Sequence, residues 1–180
     1  MSEFVKSLIK DILIAVVIVV AISFVIKPTI VKEHSMEPTL YGNDYLIVNK
    51  LAYISKEHPA RGDIIVFESD LPRTDGVQGT KLLIKRVIAT EGDVVTLSEG
   101  YVYVNGKRLD EPYVNDQGST WPDGEDIVNM TVPQDKLFCL GDNRMVSRDS
   151  RDPEVGLVDE DRVMGKAFVR LFPFNEIRLL

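Results

Sequence analysis

Ser35 stands in the run His-Ser-Met-Glu-Pro-Thr-Leu (34–40), shortly after a long apolar segment. A serine hydroxyl attacks poorly until a base takes its proton. Lys85, within Leu-Leu-Ile-Lys-Arg-Val-Ile (82–88), offers such a base, because apolar neighbours desolvate an amine and favour its neutral form near neutral pH. A third group, Gly141-Asp-Asn-Arg-Met-Val-Ser-Arg-Asp-Ser-Arg151, sets acids, arginines and serines directly after an apolar run, more hydrogen-bonding capacity than a plain turn requires. Taken singly, each has a plainer reading. Ser35 suits a turn, Lys85 suits a strand position facing solvent, and 141–151 suits a solvated loop. Taken together they point to a serine hydrolase with a lysine base.

The elements that must position these groups begin at the amino end. From Ile12 to Ile26 the chain carries neither a charge nor a polar stripe at helical period, the mark of a helix surrounded by lipid. At about 1.5 Å per residue this stretch covers about 22 Å against a hydrocarbon core of about 30 Å, so a span draws in Leu8 and Ile9 while Lys10 and Lys27 snorkel. A cleaved signal peptide would end in a small-x-small site within a polar exit region. The nearby match, Ala21-Ile-Ser23, lies inside the apolar run. Lys6 and Lys10 precede the span while Lys27 and Lys32 follow it, so charge alone leaves the orientation open. The expected layout is a tail over 1–10, a transmembrane helix over 11–27, and a β-rich domain over 28–180 with a small excursion at about 105–135.

Beyond Pro28, short runs rich in Val, Ile and Tyr alternate with Gly, Asn, Asp and Pro, which predicts strands over 29–32, 45–49, 64–68, 82–90, 94–97, 101–104, 136–140 and 166–171. Asn105-Gly106 reads as a hairpin turn with a short return strand. No sustained amphipathic helix follows the span, so the fold class is all-β. The acidic group Asp123, Glu125 and Asp126 fits a solvated loop, since its spacing matches no calcium-binding pattern. No His, Cys and acid spacing suggests a metal, and no cofactor is expected. A net charge of -7 without a basic cluster argues against nucleic acid as a partner. The single cysteine, Cys139, reads as a small buried hydrophobe.

With these runs in view, the chain resembles bacterial type I signal peptidases, the membrane-anchored Ser/Lys proteases that remove signal peptides from exported proteins, and most of all the shorter Gram-positive-type members. The resemblance rests on Ser-Met-x-Pro-Thr-Leu (35–40), Arg-Gly-Asp-Ile-Ile-Val-Phe (61–67), Ile-Lys-Arg-Val-Ile (84–88) closing on Gly92-Asp93, and Gly-Asp-Asn-Arg-x-x-Ser-x-Asp-Ser-Arg (141–151), in that order after the span. It implies antiparallel sheets behind one membrane helix, in the type II orientation, with the catalytic domain on the extracytoplasmic side of the cell membrane. It also implies Ser35 as nucleophile, Lys85 as general base, and Ser147 as the hydroxyl that orients the lysine. Asp142, Arg86, Asp149 and Arg151 become charged supports, with ion pairs expected to hold the strand of Lys85 against the loop. Met36 and Leu40 match residues near a small pocket for the substrate side chain, with Val31 and Ile84 on strands that would flank an extended peptide, and Ala-x-Ala-like sites on signal peptides are the expected substrate.

One departure stands out. Where family members carry a serine or glycine two residues before the nucleophile, this chain has Glu33, which when ionised only accepts hydrogen bonds and cannot serve an oxyanion. His34, adjacent to Ser35, is expected to face away from it. Two other readings stay open at this level: a catalytically silent membrane-tethered β-domain acting as a partner or scaffold, and a self-cleaving repressor-type Ser/Lys protease. The latter would need a DNA-binding helix-turn-helix where the membrane span lies.

Overall fold

A computed structural model describes residues 3–54, 57–73, 76, 78–123 and 126–180. Glu125 of the acidic group lies outside the described residues. Helix α1 covers Glu3–Val25, and its apolar side chains bury nothing against the rest of the chain. Its 23 residues reach about 34 Å at 1.5 Å per residue, enough to cross a hydrocarbon core without help from flanking segments. The helix therefore starts well before residue 11 and stops short of 27. Ile26 and Lys27 instead open strand β1 (Ile26–Ile30), where pairing with a neighbouring strand satisfies their backbone groups. No linker separates helix from sheet.

The remaining strands follow in chain order: β2 (Tyr45–Asn49), β3 (Ile64–Ser69), β4 (Lys81–Ala89), β5 (Val94–Ser98), β6 (Tyr101–Val104), β7 (Lys107–Arg108), β8 (Met130–Thr131), β9 (Lys136–Leu140), β10 (Val158–Asp159), β11 (Val163–Phe172) and β12 (Arg178–Leu179). The pairings among them are antiparallel, as the all-β reading requires. One sheet runs β1-β2-β11-β3-β4-β9-β10, with β12 beside β11, and the smaller one runs β7-β6-β5-β8. The Asn105-Gly106 turn has both residues at positive φ, 53° and 74°, the twist that a two-residue hairpin demands, and its return strand β7 is two residues long. Strand β8 escaped the sequence reading because two residues carry no periodicity.

Three apolar clusters hold the domain together. Ile88, Phe138 and Leu140 from the large sheet meet Val95, Leu97, Val102 and Val104 from the small one, so both sheets share a core. A second cluster gathers Ile65, Phe67, Leu83, Val87, Leu137 and Cys139 on one face of the large sheet. The third, on the opposite face of β3 and β4, joins Val31, Met36, Leu40, Leu46, Ile64 and Ala167, with Ile84 against it. Cys139 is fully buried as expected, and burial pushes its thiol well above its ordinary range.

Phe138 links the two sheets, so Phe138→Ala is expected to cost about 3–5 kcal/mol by lost burial and cavity formation. Urea unfolding of the full chain in detergent checks this. A loss under about 1 kcal/mol would mean the small sheet is not anchored through this core.

Candidate active site

Strand alternation decides where Lys85 points. Leu83, Lys85 and Val87 lie on one face of β4, the face that packs the second apolar cluster, while Ile84 and Arg86 lie on the other. Lys85 sits opposite Ile65 of β3, and Val87 opposite Cys139 of β9. The lysine is 1% exposed rather than facing solvent. Its Nζ donates to Ser35 Oγ at 2.6 Å and forms no ion pair among the described residues. Burial is the dominant influence on the amine and carries it from 10.5 down to about 8, against the opposing pull of Asp149 and Glu33. An amine in this state is a competent base near neutral pH.

The turn that follows β1 presents the serine. Ser35 O accepts from Asn143 N at 3.0 Å, and Asn143 Nδ2 donates to His34 O at 3.2 Å, so the loop after β9 grips this backbone from behind. Gly141 makes the approach possible: a Cβ there would stand 2.2 Å from Ser147 Oγ and 2.4 Å from Ser35 O. The Ser35 amide donates to no acceptor among the described residues, which leaves it available to an incoming oxygen. His34 turns outward and its Nδ1 pairs with Glu37 at 2.6 Å, although the segment is a turn and not a strand, so strand alternation is not the cause.

The expected ion pairs are present. Arg86 donates to Asp142 through Nε at 2.9 Å and Nη2 at 2.6 Å, tying β4 to the loop, and Thr39 Oγ1 donates to the same carboxylate at 2.5 Å. Arg151 forks onto Asp149 at 2.8 and 2.9 Å, and Asp149 accepts from Gly141 N at 3.0 Å. The Ser147 hydroxyl is buried beside Gly141 without a hydrogen-bond partner among the described residues, while the Lys85 amine donates to Ser35.

Val31, Met36 and Leu40 are together in one cluster with Ile84 against it, yet they expose no more than 2% of their surface. Packing against Leu46, Ile64 and Ala167 makes them a wall, with Ile84 the more accessible member. The segment expected as an excursion from the core also contributes buried contacts. Glu111 is buried and accepts from Arg144 Nη2 at 2.6 Å and Nη1 at 3.1 Å, while Arg144 Nε donates to Gly141 O at 2.9 Å and Nη1 to Thr120 Oγ1 at 2.6 Å. Tyr113 receives the Arg86 guanidinium on its ring at 4.0 Å. Sequence reading missed Glu111, Tyr113 and Thr120, since only the remote arginines reveal their purpose. Glu33 is half-exposed and its carboxylate meets Lys81 Nζ at 2.7 Å.

An apolar helix leading into a β-domain where a buried lysine touches a serine defines the class, a membrane-anchored serine hydrolase. The chain matches the family described as signal peptidase, peptidase S26, over residues 5–172, and it belongs to that family. It is 38% identical over 175 residues to a probable signal peptidase I-2 of Synechocystis sp., covering 95% of this chain and 75% of that one. It is 37% identical over 179 residues to signal peptidase I of Bacillus licheniformis, with 94% and 90% covered. Against signal peptidase IB of Staphylococcus aureus (strain Mu50 / ATCC 700699) the figures are 34% over 177 residues, 91% and 86%.

Removing Glu111 strands a buried guanidinium, so Glu111→Ala is expected to destabilise the chain by about 3–5 kcal/mol. Thermal unfolding in detergent measures it. A near-neutral result would show that Arg144 finds water instead.

Proposed function

We propose that this chain removes signal peptides from exported preproteins, with Ser35 as nucleophile and Lys85 as general base. The observation that carries the reading is the 2.6 Å contact between Ser35 Oγ and an amine that is 1% exposed. The neutral lysine accepts the serine proton as Oγ attacks the scissile carbonyl. The resulting oxyanion faces the Ser35 amide, and the lysine ammonium passes its proton to the departing amine. Water, deprotonated by the same lysine, then opens the acyl-enzyme and releases the signal peptide. Asp142, Arg86, Asp149 and Arg151 hold this arrangement by the pairs described above. Ser147, buried beside Gly141 with an unpartnered hydroxyl, is assigned the orienting of the lysine once the amine is neutral.

The preference for Ala-x-Ala-like sites belongs to this reading: Val31, Met36 and Leu40 pack as a buried wall with Ile84 the more accessible member, a surface suited to small substrate side chains. The helix Glu3–Val25 anchors the enzyme, and the type II orientation puts the β-domain on the extracytoplasmic side, where the cleavage site of an exported preprotein emerges. No particular observation favours a silent scaffold.

Purified full-length protein in detergent is expected to cut a preprotein carrying an Ala-x-Ala site after the second Ala, and Ser35→Ala or Lys85→Met is expected to abolish cleavage in a folded chain. Persistence of cleavage in either variant would overturn the dyad. Because the neutral amine is the base, kcat/KM is expected to rise with pH through about 8. Below that it falls about tenfold for each pH unit, which a pH series on a peptide substrate reads directly.

A further inference from the structure

Two acids act on Lys85, and each has a basic partner. Asp149, from the loop after β9, is capped by the Arg151 fork. Glu33, from the segment that carries the nucleophile, is capped by Lys81 at 2.7 Å, from the strand that carries the base. The first pair matches residues already expected as supports. The second has no such precedent, since Glu33 replaces a small residue at this place.

We propose that Lys81 is a positioning residue for this reaction: its ammonium, 2.7 Å from the half-exposed Glu33 carboxylate, cancels a negative charge that otherwise stands two residues before the nucleophile. The inference rests on the Ser35 and Lys85 reading. A bare carboxylate here does two kinds of harm. It favours the protonated amine, which cannot act as base, and it opposes the negative charge that develops on the substrate oxygen near the Ser35 amide. Glu33 and Lys81 act on Lys85 in opposite directions, Glu33 toward the charged form and Lys81 toward the neutral one. The other groups facing the amine are Asp149, Arg151 and Cys139, of which the two charged members pair with each other and the thiol is held neutral by burial. The Glu33–Lys81 pair is thus the adjustable charge at the site. It also joins the two segments that carry the dyad, so a purely mechanical role must be separated from an electrostatic one.

The test is the pH profile of kcat/KM on an Ala-x-Ala peptide for the full-length chain, Lys81→Met, Glu33→Gln, and the double variant, each at low salt and at about 1 M salt. Lys81→Met is expected to move the acidic limb up by about half a pH unit, about a threefold loss at pH 7, and the double variant to return the limb to its starting place. High salt is expected to shrink the displacement, because both side chains are partly exposed. An unmoved limb in Lys81→Met overturns the proposal, as does a loss that the double variant fails to restore, since a mechanical tie is broken equally in both. Failure of the dyad itself would appear elsewhere, as cleavage surviving Ser35→Ala or Lys85→Met.

Discussion

Everything at this site depends on keeping one amine away from water. Lys85 binds its proton at about 8 in the folded chain against an ordinary 10.5, with burial as the main cause. Below pH 8 the folded state holds that charge at a cost of about 3 kcal/mol, a sizeable share of a small domain's stability. The unfolded chain binds more protons between about 8 and 10.5, so stability rises with pH across that window. The neutral amine needed for the proposed chemistry is also the form the fold prefers.

The surrounding structure serves that one constraint. Leu83 and Val87 bring the lysine inward, and the β3 and β9 neighbours Ile65 and Cys139 line its surroundings with apolar atoms. Acids near an amine would undo this desolvation, and the two that act on it are engaged, Asp149 by Arg151 and Glu33 by Lys81. The acids of the surrounding loops are paired too, Asp142 with Arg86 and Thr39, Glu111 with Arg144. Such pairs add little net stability when compared with an apolar core, but they fix geometry, and stranding one partner is costly. They also explain why the loop after β9 can press so closely on Ser35 that only glycine fits at 141.

The anchor and the sheet form a continuous piece of chain. Helix α1 passes directly into β1, and Lys50, at the end of β2, donates to Val25 O at 2.9 Å and through its amine to Ser23 O at 3.2 Å. The turn bearing Ser35, the proposed nucleophile, follows β1 after a few residues, so it cannot stray far from the end of helix α1. An endopeptidase acting on a membrane-embedded signal peptide gains from such a short tether, because substrate and site then share one surface.

Much of this was legible in the residues. The apolar run, the alternation of β2, β4, β6 and β9, the turn at Asn105-Gly106 and the motifs around Ser35, Lys85 and 141–151 are local signals, read from periods and turn chemistry that neighbouring residues carry among themselves. The helix bounds were less so, because Ile26 and Lys27 suit helix and strand alike and only pairing with β2 decides between them. Tertiary structure alone decided that Lys85 is buried rather than solvent-facing, that Glu111 and Thr120 enclose Arg144, that Ser147 stands unpartnered, and that Lys81 answers Glu33. Each of these depends on which of several chemically suitable partners comes within hydrogen-bonding distance. Charge and hydrogen bonding are short-ranged in their demands, and the chain supplies many candidates of equal chemistry. The packing of the two sheets makes the choice among them.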